Sequence, residues 1–344
     1  MPLQAPATTL HALLGTALDA AEIDRLFDRL QIAPTLLRPV RTHVSRAEIA
    51  QALNMLLFNG LLERVPAAAA CVAERRAAGE QVCFDHGALR TVAWPSGALP
   101  AGQAAITRVL APLGFEQAET YPLPRLKMTG RAWRHRDLPQ DIAQFFVSEL
   151  HPEAFSPSFQ AAVSRVIGAS RDPLSARDIS ELAQLERDCA LPLVTAQRLL
   201  PRLAACFERQ HGLFELADHE TLRAESAEMA WIATEGNAFN HATDRVADID
   251  AVVALQIAAG RPIKSSVEVS ASGRVHQTAL AAAPVLREFR QGQGLITREV
   301  PGSFYEFIER APLPDAGILD LGFDAANATG IFGMTAGRHA LQRG

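Results

Sequence analysis

The sequence predicts an α+β fold: two strand–helix–three-strand modules forming one curved sheet around a central cavity. Helices precede the first module, and a helical insertion separates it from the second. Three observations predict this. Apolar spacing switches from helical to alternating at Val82. It turns helical again over residues 156–224. From about residue 226 the order of one strand, one helix and three strands returns. Direct similarity between the two copies is weak, so the repeat rests on element order.

Residues 1–80 read as an N-terminal helical segment. Ser45 and Glu48 have capping-box spacing just ahead of the apolar run IAQALNMLLFNGLL, and an alanine-rich stretch closes on Gly79. Residues 81–150 read as the first strand-rich half. VCFDHGALRTVAW alternates, with Phe84, His86, Ala88 and Arg90 on one face and Cys83, Asp85, Gly87 and Leu89 on the other. WPSGALPAG is a loop, and Ile106, Val109, Leu110 and Leu113 have helical spacing. Strands are expected near 115–121, 125–136 and 142–150.

Residues 151–225 read as the helical insertion, a candidate for dimerisation or pocket closure. Residues 226–344 read as the second strand-rich half with a C-terminal cap. A strand runs through His241, a helix covers 248–259, and strands follow near 264–280, 286–299 and 303–310. The glycine-rich tail GFDAANATGIFGMT at 322–335 suits a segment packed over a site.

Composition narrows the class. A chain of 344 residues, 48% hydrophobic and 21% charged, is globular rather than disordered. Its formal charge of −5 and lack of basic–aromatic runs argue against a nucleic-acid partner. Lysine occurs only at Lys127 and Lys264, so arginine supplies the cations, and its planar fork suits carboxylate substrates. Cys71, Cys83, Cys189 and Cys206 form no CxxC pair and read as thiols of a reducing compartment. No segment reads as a signal peptide or reaches membrane-spanning length, so a cytoplasmic location is expected.

Three segments place one candidate metal ligand each in a strand-like, apolar setting: His86 in FDHGALRT, His241 in FNHATDR and Glu306 in FYEFIER. Two imidazoles and one carboxylate leave about half of an iron(II) coordination sphere open. His86 and Arg90 share a face roughly 13 Å apart along an extended strand, so one can hold a metal while the other meets a substrate carboxylate. Phe239, His241, Thr243 and Arg245 share a face, with Asn240 and Asp244 opposite as turn or surface partners. Glu306, between Phe304 and Ile308, would be buried at a cost unless paired or bound to metal, whereas Glu309 and Arg310 read as the strand end. A one-residue register slip would exchange Glu306 for Glu309. His135 and His276 are strand-like reserves. GxSxG, HExxH, GxxxxGKS and strand-borne GxGxxG signatures do not occur.

FDHGALRT, FVSEL at 146–150, FNHATDR, FYEFIER and NATGIF resemble the 2-oxoadipate dioxygenase/decarboxylase (hydroxyglutarate synthase) family, of the vicinal-oxygen-chelate superfamily. The resemblance spans about residues 40 to 335. FYEFIER also resembles the carboxylate-ligand strand of 4-hydroxyphenylpyruvate dioxygenase, where the glutamate likewise precedes an arginine by four. By motif, the family's metal ligands fall on His86, His241 and Glu306, and its substrate-carboxylate arginine on Arg90. The resemblance implies a non-haem Fe(II) enzyme that uses dioxygen to decarboxylate and hydroxylate a 2-oxo dicarboxylic acid, turning 2-oxoadipate into 2-hydroxyglutarate. Family members of established activity are longer than this chain, and NATGIFGMT matches their pocket-lining segment loosely. The alternatives are a glyoxalase-like isomerase or hydrolase on the same scaffold, or a metal-free small-molecule-binding module.

Overall fold

The structure, a computed structural model, describes residues 8–264, 266–314 and 317–324. Eight strands make the sheet that positions the site: β1 (Phe84–Val92), β2 (Phe115–Leu123), β3 (Met128–His135), β4 (Gln144–Leu150), β5 (His241–Arg245), β6 (Glu268–Val269), β7 (Val275–Ala279) and β8 (Phe304–Arg310). Their spatial order is β2-β3-β4-β1-β5-β8-β7-β6, and the sheet curls into a half-barrel.

Each half follows the same path. Its first strand lies at the centre of the sheet, and a helix (Ala104–Leu110 or Ile249–Ala258) carries the chain to the outer edge. The chain then steps back inward through antiparallel pairs until its last strand pairs in parallel with its first. The two first strands, β1 and β5, meet antiparallel in the middle. The predicted repeat of strand, helix and three strands is therefore present in both halves.

Three strand assignments differ from the expectation. The stretch 264–280 holds two strands, β6 and β7. The one expected near 286–299 is a separate hairpin, Pro284–Gln291 with Gly294–Pro301, that turns at Gly292. Phe289 and Val300 of this hairpin pack on the helical core with Phe214, Leu222 and Met229 instead of joining the sheet. Period-two alternation marks an extended segment but does not say which sheet receives it. The strand expected from residue 226 is also displaced. Ser226 caps a helix over Ala227–Glu235 by accepting from Met229 N, and the strand starts only at His241.

Helices cover the sheet as the spacing predicts. Ser45 and Glu48 form the expected reciprocal capping box on helix Arg46–Arg64. Phe58 of that helix meets Phe84 and Tyr305, on the side of β8 opposite Glu306. Burying such an aromatic side chain contributes about 1.5–3 kcal/mol. Gly87 is required on β1, because a Cβ there would lie 2.2 Å from the Phe239 ring. Helices Pro157–Ile167, Ala176–Asp188, Leu193–Ala205 and Leu216–Glu225 form the expected helical stretch between the halves. Among the described residues no single helix is long and apolar enough to cross a membrane. The four cysteines are unpaired.

Candidate metal centre

The three candidate ligands meet at the centre of the sheet. In register, Thr243 of β5 faces His86 of β1 on one side and Glu306 of β8 on the other. His241 lies two residues before Thr243 on the same face, so the three ligands come from three neighbouring strands. One ligand atom from each lies within 4.8 Å of the others. Glu306 Oε2 is 3.1 Å from His241 Nε2 and 3.4 Å from His86 Nε2. All three residues are buried. The reserves, His135 and His276, are not in this group: His135 Nδ1 accepts from Asp137 N and Leu138 N, and His276 pairs with Gly273 O.

Neighbouring side chains hold each ligand. His86 Nδ1 donates to Asp85 Oδ1 at 2.9 Å, and His241 Nδ1 to Asn240 Oδ1 at 2.8 Å. Both Nε2 atoms are thereby aimed at the shared centre. Gln277 Nε2 donates to Glu306 Oε1 at 2.9 Å, and Thr243 Oγ1 to Glu306 Oε2 at 2.6 Å.

Electrostatics fit a cation at this point. Burial penalises the Glu306 carboxylate, but His241 and His86 beside it prevail and hold it well below the usual carboxylate range. Burial also works against protonating His86, yet hydrogen bonds to Asp85 and Glu306 raise its pKa. Burial pushes the His241 pKa down, against the pull of Glu306. Two imidazoles and a carboxylate converging on one point, each oriented from behind, form a donor set suited to a divalent transition metal.

The cavity beside this centre is small, about 30 Å³. His86, His241 and Glu306 line one part of it, and Ala88, Phe146, Ser148 and Arg90 continue it along β1 and β4. Arg90 shares the face of His86 as the alternation predicts. Burial lowers its pKa to about 10, partly offset by Glu228, so it stays cationic at neutral pH. Its guanidinium lies 5.1 Å from the Trp231 ring centroid, and Asn237 donates to its backbone carbonyl at 2.9 Å.

Several neighbours run against the sequence-based assignment. Strict alternation sends Asp85 to the face opposite His86, but a register shift between Phe84 and His86 brings its carboxylate to the imidazole. Asn240, at the bend just before β5, and Asp244, within β5, are both buried instead of lying at the surface. Asn240 orients His241, and Asp244 pairs with Arg75 at 2.6 Å, where burial raises its pKa to about 7. Arg310 closes β8 but is buried against Asp85. Of the tail, Phe323 stacks edge-on over His86 with ring centroids 4.8 Å apart, while NATGIFGMT lies outside the described residues.

A family model described as 2-oxoadipate dioxygenase/decarboxylase matches residues 50–317. A solved protein of Ralstonia eutropha JMP134, described as of the glyoxalase superfamily, is 53% identical, with a TM-score of 0.88 over 92% of this chain and 98% of that one. The hydroxyglutarate synthase of Oryza sativa, solved with 2-oxoadipate, is 21% identical, with a TM-score of 0.67 over 89% of this chain and 98% of that one. That of Pseudomonas putida, also solved with 2-oxoadipate, is 20% identical, with a TM-score of 0.61 over 88% of this chain and 76% of that one. The two synthases share the fold, and that of Oryza sativa, 98% covered by 89% of this chain, is no longer than it, against the expectation that members of established activity are longer. No curated protein sequence matches the chain.

Proposed function

The chain belongs to the 2-oxoadipate dioxygenase/decarboxylase family, an oxidoreductase family, and from that premise we propose that it is an Fe(II)-dependent 2-oxo acid dioxygenase acting on 2-oxoadipate. The product is 2-hydroxyglutarate, with one carbon leaving as carbon dioxide. One observation carries this reading: two imidazoles, one carboxylate and a buried arginine share a single cavity. His86, His241 and Glu306 would hold the metal. An iron(II) ion there supplies a Lewis acid for the carboxylate and keto oxygens of the substrate and a redox partner for dioxygen.

The protein's own groups then have defined tasks. Arg90 binds the distal carboxylate through charge-assisted hydrogen bonds, and Trp231 stacked on the guanidinium limits its swing. Asp85, Asn240 and Gln277 fix the three ligands, so binding needs little rearrangement. Phe146 and Phe323 narrow the cavity and exclude water from the reacting end. The reaction as written needs no side-chain acid or base.

The test is anaerobic loading with Fe(II) followed by an oxygen-electrode assay over a panel of 2-oxo acids. Uptake with 2-oxoadipate, matched by carbon dioxide release, is expected. A chain that binds metal but consumes no oxygen with any member of the panel is instead an isomerase or hydrolase on this scaffold.

A further inference from the structure

Arg310 joins two parts of the molecule that no backbone element connects directly. Its side chain is fully buried. Nε donates to Asp85 Oδ2 and Nη2 to Asp85 Oδ1, each at 2.9 Å, and Asp85 in turn accepts from His86 Nδ1. Nη1 turns the other way and donates to Asp320 O and Gly322 O, both at 2.8 Å. The guanidinium also lies 5.4 Å from the centroid of Phe323, the ring that stands edge-on over His86. One planar fork therefore grips the carboxylate that orients a ligand and the backbone of residues 320–322. A lysine has a single charged nitrogen and cannot reproduce both grips.

The same segment is fastened from the far side of the sheet. Phe323 N donates to Tyr121 Oη at 3.0 Å, and Gln144 Nε2 donates to Leu321 O at 3.2 Å. Among the described residues Arg310 and Asp85 form the hydrogen-bonded path from the strap to His86, while Phe323 and Asp324 line the cavity themselves and Arg274 Nε and Ala271 N hold Asp320 and Asp324 from the turn before β7. Anything that fixes His86 therefore fixes Asp85 and Arg310, and with them the strap. Coupling of this kind is reciprocal: if metal orders the strap, the ordered strap raises metal affinity by the same factor.

We propose that Arg310 is a positioning residue that couples metal binding at His86 to the ordering of residues 317–324 over the cavity. Pocket closure and ligand orientation are then a single event. The proposal rests on the ligand assignment above but not on the oxygen chemistry.

Hydrogen exchange with zinc, a redox-inert probe, tests it. In the wild-type chain, zinc is expected to slow amide exchange across 317–324. Arg310→Lys should lose that zinc-dependent protection and bind zinc about 10- to 100-fold more weakly, the usual range for residues that orient a ligand. Tyr121→Phe covers the case in which Arg310→Lys does not fold. It removes a strap anchor without touching His86 or Asp85, and should weaken zinc about two- to tenfold through the lost hydrogen bond. Zinc bound with no change in strap exchange overturns the coupling and leaves the ligand assignment standing. So does zinc affinity unchanged in both variants. A wild-type chain that binds no zinc overturns the ligand assignment and the coupling together.

Discussion

The two halves of the sheet have the same topology but differ in what they place in equivalent seats. FDHGALR at 84–90 and FNHATDR at 239–245 share the pattern F-x-H-x-x-x-R. Both histidines lie on central strands, and the residue before each holds its Nδ1, Asp85 in one half and Asn240 in the other. The last strands differ. Register aligns Phe146 beside Ala88 in the first half and Glu306 beside Thr243 in the second. One seat holds a phenyl ring lining the cavity, and the other holds the sole carboxylate of the ligand trio. The arginines diverge too: Arg90 lines the cavity, whereas Arg245 turns to Cys83 Sγ at 2.9 Å. A near-symmetric frame thus carries an asymmetric centre, to which the second half gives two of the three candidate ligands and the first half gives His86 together with Arg90.

The largest effect is expected at the unequal seat. Glu306→Ala should abolish metal retention, leaving two imidazoles and no anionic ligand, with the fold intact by circular dichroism. Phe146→Ala should retain metal while losing about 3–5 kcal/mol of stability to the void. Equal metal content in the two variants would erase the proposed division of roles.

The arginines give the next contrast. Arg90→Met should bind iron normally and raise KM for 2-oxoadipate about 10- to 100-fold, the value of a charge-assisted contact of roughly 1.5–3 kcal/mol. Arg245→Met should change KM by no more than about fivefold, since Arg245 does not line the cavity and stands 3.8 Å from Asp85, whose carboxylate Arg310 grips at 2.9 Å. Steady-state kinetics on both variants decide this, and an unchanged KM in Arg90→Met removes that residue from substrate binding.

A smaller effect is expected from the histidine supports. Asn240→Ala should weaken metal binding about tenfold, measured by competition with a chelator, because His241 loses its orienting acceptor. No change would mean that the strand alone orients the ring.

The mildest effect is a pH dependence. Hydrogen bonds to Asp85 and Glu306 raise the folded-state pKa of His86, so in the metal-free chain its protonation adds stability at low pH. That contribution is full below the unfolded value of about 6.5 and is lost as pH rises through the folded pKa. Metal needs the free imidazole and so gains as the proton leaves. The difference in Tm between zinc-loaded and metal-free protein should therefore widen from pH 5 to pH 8. A constant gap would show that His86 does not exchange a proton for metal.

Strand parity puts Arg90 on the face of His86 and sets Glu306 apart from Glu309, because these residues stand in regular stretches where alternation holds; the repeated element order supplies the one cavity where His241 joins them. The same rule fails at Asp85, where a single register shift turns the side chain inward. It is silent on Gln277, which reaches Glu306 only through the pairing of β7 with β8. Trp231 is hidden for another reason: its helix reads as a strand, so its place beneath Arg90 cannot be inferred from spacing. The shared F-x-H-x-x-x-R pattern was the available signal for the pairing of Asp85 with Asn240, since equivalent histidines imply equivalent supports. The helical covering and its Ser45 cap are local features and are legible for that reason. The hairpin at 284–301 depends on which surface accepts it, a tertiary choice.

The most direct test of the account is a turnover of the Fe(II)-loaded chain with 2-oxoadipate under ¹⁸O-labelled dioxygen, read by mass spectrometry of the product. The account predicts 2-hydroxyglutarate with two labelled oxygens, one in the new carboxylate and one in the hydroxyl, and one carbon dioxide released per dioxygen consumed. Product without label, or metal-bound protein that leaves 2-oxoadipate intact, would contradict it.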